Sequence, residues 1–217
     1  MTTKMRVESR AFIRQNVHEI QNAVRKAERK FLPSYIRTAK REGNFVIPLD
    51  GPRYPEYQGT SIGFALEYLD KLALPPEHHF ADLGAGLGSV CYAAAACFDR
   101  VTGIEENRRI FSAAKRVQAQ LGMKENIRFF NKDLLDVSLT PFNVVFFYRP
   151  FRKDFFGQIH RKLIETVPGT FIISKAFIEP PLYDPENFTY LPPLAGWQCD
   201  PEGWNVPRAP FYAFIRK

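Results

Sequence analysis

Ile13, Val17, Ile20, Val24, Ala27 and Phe31 recur at steps of three and four, which sets apolar side chains along one face of an α-helix. The stripe predicts one amphipathic helix, stopped by Pro33. Residues 43–59 carry three prolines and three glycines and read as a linker across the surface. From Thr60 the pattern becomes helical stretches alternating with short apolar runs. Helices are expected at 60–72, 89–98, 107–122 and 153–167, and strands at 79–83, 100–105, 126–131, 142–148 and 170–175. Two further β segments, 188–200 and 208–217, close the chain around a Pro/Gly-rich turn. Strand-then-helix units predict an α/β domain with a mostly parallel sheet covered on both faces. The chain divides into a helical arm (1–42), a linker (43–59) and the α/β domain (60–217).

Charge sharpens that division. The net charge of +7 falls on residues 1–42, which hold eleven basic and four acidic residues, while the remainder carries nineteen of each. The arm therefore has two readings. Its stripe packs on the domain while solvated Lys and Arg cover the outer face, or its basic face recruits an anionic partner such as RNA, an acidic protein or a lipid headgroup.

Other features exclude classes. No apolar run reaches the ~20 residues of a membrane helix, and no hydrophobic signal core follows the N-terminus. Cys91, Cys97 and Cys199 are read as buried, reduced thiols, which points to the cytoplasm. His18, His78, His79 and His160 lack metal-ligand spacing, so no metal site is expected.

The chemistry concentrates at 79–90, where a short strand ends in Asp82 and runs through Gly84, Ala85, Gly86 and Gly88 into an alanine-rich helix. In such a sheet, ligands bind beyond the carboxyl ends of the strands. Closely spaced glycines let the backbone turn and approach a ligand. A dinucleotide fingerprint would need a glycine at position 89, which is Ser89, and no Gly-Lys-Ser/Thr phosphate loop is present. Asp82 would repel a pyrophosphate but suits a cation such as an amino-acid ammonium. Glu105, ending the next strand, is placed to accept ribose hydroxyls. Asp133, after the third, is placed to accept from an adenine amino group.

An ammonium, a ribose and an adenine without phosphates make up S-adenosylmethionine. Over roughly residues 57–217 the chain resembles the class I (Rossmann-like) S-adenosylmethionine-dependent methyltransferases, through Asp82–Gly88, Glu105 and Asp133. The resemblance implies S-adenosyl-L-methionine as cofactor, with Gly84, Ala85, Gly86 and Gly88 along it and Leu134 beside Asp133. It implies a final antiparallel strand inserted into the sheet, for which residues 211–217 are the candidate. Thr60 opens the helix before the first strand. In several branches such a residue lies near the methionine carboxylate, and an ordinary helix cap is the other reading.

Members that methylate amino groups often carry Asn/Asp/Ser-Pro-Pro-Tyr/Phe after the fourth strand. Here Tyr148, Arg149, Pro150 and Phe151 stand there, so the short polar residue that aligns a base nitrogen is missing. Tyr148 and Phe151 become the acceptor-site candidates, with Arg149, Arg152, Lys153 and Lys175 as a positive rim. The expected acceptor is a macromolecule, protein lysine first and RNA second. Two alternatives stand beside it: a small-molecule enzyme with the arm as lid, and an inactive cofactor-binding scaffold.

Overall fold

Short, nearly continuous apolar runs build the centre of the molecule. In the computed structural model, residues 3–31, 47–48, 56–57, 59–123, 127–148, 156–175, 184–192 and 211–217 are described. The main sheet holds β3 (His79–Leu83), β4 (Arg100–Ile104), β5 (Ile127–Phe130), β6 (Val144–Tyr148), β7 (Phe171–Lys175), β8 (Phe188–Tyr190) and β9 (Phe211–Arg216), in the order β5-β4-β3-β6-β7-β9-β8. β3 to β7 are mutually parallel, and β9 runs antiparallel between β7 and β8. The strand order reverses between β3 and β6, which places a crevice at the carboxyl ends of those strands.

Two apolar layers sandwich the sheet. Phe80, Phe146, Ile173 and Phe211 face a cluster shared with α1 (Thr3–Gln15), α2 (Val17–Phe31), α3 (Ile62–Leu72), α4 (Ser89–Ala95) and α5 (Arg108–Gln120). Ala81, Leu83, Val145, Phe147 and Ile172 face the other side, where Ile159 and Leu163 of α6 (Phe156–Ile164) pack. The strands are thus buried on both faces, as parallel strands are.

The N-terminal stripe does not form one helix. The Asn16 side chain donates to Phe12 O at 2.7 Å, and its own N–H reaches Phe12 O and Ile13 O. Asn competes for backbone partners in this way, and α1 ends there before α2 begins at Val17. The stripe still stays on one side: Ile13, Ile20 and Val24 are fully buried in the core cluster. Arg14 makes a bidentate bond to Asp70 of α3 (2.7 and 2.6 Å), and Arg10 stands 3.6 Å from Asp99. Part of the basic arm is therefore used to fasten it. Gln21 Oε1 accepts the Ile62 N–H at 2.7 Å, so the arm also caps the start of α3.

Within the expected linker, β1 (Ile47–Pro48) pairs antiparallel with β2 (Glu56–Tyr57), and the rest lies outside the described residues apart from Gly59. Cys91 is buried and free as expected, whereas Cys97 is free but only partly buried; Cys199 lies outside the described residues. Among the described residues no helix is long and apolar enough to cross a membrane.

Candidate active site

The crevice is built on three left-handed glycines. Gly84, Gly86 and Gly88 have φ of 81°, 57° and 89°, a region costly for any residue with a Cβ. At Gly88 space is also closed, because a Cβ would lie 2.5 Å from Phe129. Gly103 of β4 answers the same crowding: a Cβ there would meet Phe129 at 2.6 Å and Cys91 Sγ at 2.9 Å. Phe129 therefore reaches from β5 across β4 to support the loop from below.

Backbone bonds stitch this loop to the end of β4. Gly84 and Ala85 N–H groups both donate to Ile104 O at 2.9 Å. Glu105 Oε2 accepts the Gly86 N–H at 2.9 Å, and Oε1 accepts the Asn107 N–H at 2.8 Å. Asn131, after β5, donates to Glu105 O and Glu106 O, both at 2.8 Å. Asp133 caps a 3₁₀ turn, Leu134–Asp136, by accepting the Leu135 N–H at 2.9 Å, and Leu134 is buried behind it.

Asp82 and Glu105 are both buried acids. Burial pushes each up to about 7, and the charge of Glu105 adds to the effect on Asp82. The Cys91 thiol donates to Asp82 Oδ2 at 3.4 Å and opposes the shift, while its own pKa rises through burial. For Glu105, the Asn107 and Gly86 N–H groups oppose it.

Register places the second half of the crevice. Asp82, Phe146 and Ile173 form one row across β3, β6 and β7. Tyr148 and Lys175 are paired two residues further on, so they share the Asp82 face. Lys175 Nζ donates to Thr60 Oγ1 at 3.1 Å and lies 4.2 Å from the centroid of the Tyr148 ring. Ser61, not Thr60, holds the cap position of α3, and it makes no side-chain cap bond.

The structure thus brings Asp82, Gly84, Ala85, Gly86, Gly88 and Glu105 together, with Asp133 and Leu134 following the neighbouring strand. Tyr148 and Thr60 meet on Lys175. Phe151, Arg149, Arg152 and Lys153 lie outside the described residues. Lys175, counted in the sequence as a rim cation, is instead buried. Its signal was a lysine ending an otherwise apolar strand. Asn131 carries no sequence signal because its contacts join separate β–α units, whereas Cys91 and Asn107 act within one unit, on Asp82 and Glu105.

Compared with solved structures, the chain is similar to an RNA methyltransferase from Salinibacter ruber in complex with S-adenosyl-L-homocysteine. The two are 20% identical with a TM-score of 0.54, over 73% of this chain and 93% of that one. The fold is that of a Rossmann-like methyltransferase. A tRNA (m1A58) methyltransferase from Aquifex aeolicus gives a TM-score of 0.54 at 16% identity, over 74% of this chain and 70% of that one. No family model and no curated protein matches the sequence.

Proposed function

We propose that this methyltransferase-fold chain is an S-adenosylmethionine-dependent methyltransferase acting on a macromolecule. The observation that carries the reading is the pair of buried acids, Asp82 and Glu105, at the carboxyl ends of β3 and β4 on either side of the glycine loop. Asp82 answers the methionine ammonium and Glu105 the ribose hydroxyls. Gly84, Ala85, Gly86 and Gly88 give the backbone its close approach, and Asp133 with Leu134 meets the adenine. Ser89 Oγ and Tyr92 Oη, beside the loop, are buried without a partner among the described residues, which suits a site that receives polar ligand atoms. The Rossmann-like fold and the S-adenosyl-L-homocysteine bound to the similar Salinibacter ruber protein support the same cofactor.

RNA is the acceptor that the surface favours. α5 carries four basic residues and no acidic one, and α2 packs against it. Arg25, Lys26, Arg29, Arg108, Arg109 and Lys115 are exposed on these adjoining helices, a charge pattern that fits a phosphate backbone. Arg108 and Arg109 open α5, where the helix dipole disfavours cations, so local stability does not account for them. The lid reading loses its basis, since both arm helices contribute to the core. Incubation with tritiated-methyl cofactor and fractionated cell lysate tests the proposal. Label in RNA supports it, label in protein moves the acceptor to a lysine or similar group, and label in neither overturns it.

A further inference from the structure

Lys175 closes β7 with 8% of its surface exposed, and it is the only buried lysine or arginine among the described residues. The described groups facing it carry no charge at neutral pH: Thr60 before α3, Tyr148 on β6, and Phe211, its partner on β9. Among the described residues no carboxylate pairs with it, and Asp82 stands two strands away on the same face. A buried ammonium without a counter-ion is costly, and a methionine would fill similar space without that penalty. Burial brings this lysine down to about 8, so a sizeable fraction is neutral amine near physiological pH.

We propose that Lys175 takes the proton that the methyl acceptor sheds, with Thr60 and Tyr148 holding the ammonium that forms. The proposal rests on the methyltransferase reading above. In the step, a lone pair of the acceptor atom attacks the methyl carbon, and the carbon–sulfur bond breaks with its electron pair left on sulfur. The acceptor's X–H pair stays on the acceptor atom while the proton passes to the Nζ lone pair. Sulfonium becomes thioether and amine becomes ammonium, so the pocket's total charge is unchanged.

That balance favours the reaction. Before transfer, the sulfonium charge adds to burial in keeping Lys175 neutral. As the sulfonium disappears, the ammonium becomes acceptable, and the Tyr148 ring face and Thr60 Oγ1 stabilise it. Such a base serves a hydroxyl, which loses its proton as the methyl transfers, or a protonated amine, whose proton passes to Nζ before the freed lone pair attacks.

NMR of protein labelled with ¹³C at lysine Cε reads the titration, the Lys175 signal being the one lost in Lys175→Met. A midpoint near 8 is expected, moving down by about half a pH unit in Tyr148→Leu as the cation–π contact is removed. A midpoint above about 10, the ordinary lysine value, overturns the proposal. So does a rise of a full unit when S-adenosylhomocysteine binds, which would make Lys175 a counter-ion for the cofactor carboxylate. In the tritium assay on total cellular RNA and lysate protein, Lys175→Met should lose at least about a hundredfold in transfer. Its affinity for S-adenosylhomocysteine should stay within about threefold of wild type, and transfer retained at that level overturns the role. Failure of wild-type protein to bind S-adenosylhomocysteine is a different result: it removes the methyltransferase reading, and this step with it.

Discussion

Glu105 Oε2 accepts the Gly86 N–H at 2.9 Å, so the acid ending β4 also fixes the loop that follows β3. Loss of this carboxylate should therefore act twice, on ligand contact and on loop geometry. Charge-assisted hydrogen bonds contribute about 1.5–3 kcal/mol, so Glu105→Ala should weaken S-adenosylhomocysteine binding roughly ten- to a hundredfold. Asp82→Ala should lose a similar factor. Glu105→Gln should fall between Glu105→Ala and wild type, because its amide oxygen can still accept the Gly86 N–H.

The two acids also set a pH dependence. In the fold Asp82 and Glu105 rise from ordinary values of 3.8 and 4.5 to about 7. Their contribution to stability is full below the unfolded values and is lost as pH rises through the folded ones, so ligand-free protein should lose stability between about pH 4 and 7. His79, held below its ordinary 6.5 by burial and by Arg100 and Arg128, works in the opposite direction as pH falls. Lys175 acts in a separate window, between about 8 and 10.5, where rising pH adds stability. Urea titrations at pH 5 and pH 7.5, with and without Glu105→Gln, isolate the acid contribution. The pH slope should shrink in the variant, and an unchanged slope contradicts the buried-acid account.

Gly84 and Gly88 should respond differently to the same substitution. Both have positive φ, but a Cβ at Gly84 meets nothing within 4 Å, whereas at Gly88 it lies 2.5 Å from Phe129. Gly84→Ala should cost about 1–2 kcal/mol of backbone strain. Gly88→Ala adds a clash, of a kind that typically costs a further ~1–3 kcal/mol. Thermal melts of the two variants check the ranking, and a Phe129→Leu background should relieve only Gly88→Ala.

The arm should behave as core. Ile20 is fully buried, so Ile20→Ala should cost about 2–5 kcal/mol in urea unfolding. Arg14→Ala should cost much less, because the Arg14–Asp70 pair is partly exposed and such pairs contribute about 0–1 kcal/mol. Equal small effects from both would indicate an arm that is detachable from the domain.

The sheet was legible because each strand is a short apolar run bounded by helix or turn signals, and Asp82, Glu105 and Asp133 fall at the ends of such runs. The break at Asn16 was hidden, since the apolar steps of three and four pass straight through it. The Lys175–Tyr148–Thr60 contact was hidden for another reason. Register between strands is set by packing across the sheet, and Thr60 lies 115 residues from Lys175. The Gln21 cap on α3 belongs to the same kind: a polar side chain on an amphipathic helix gives no sign of which distant N–H it will meet.

Calorimetric titration of S-adenosylhomocysteine into wild-type, Asp82→Ala and Glu105→Ala protein tests the central claim most directly. The account predicts one bound molecule per chain in the wild type and at least about a tenfold weaker affinity in each variant. Absence of binding to the wild type, or equal affinity in all three proteins, contradicts it.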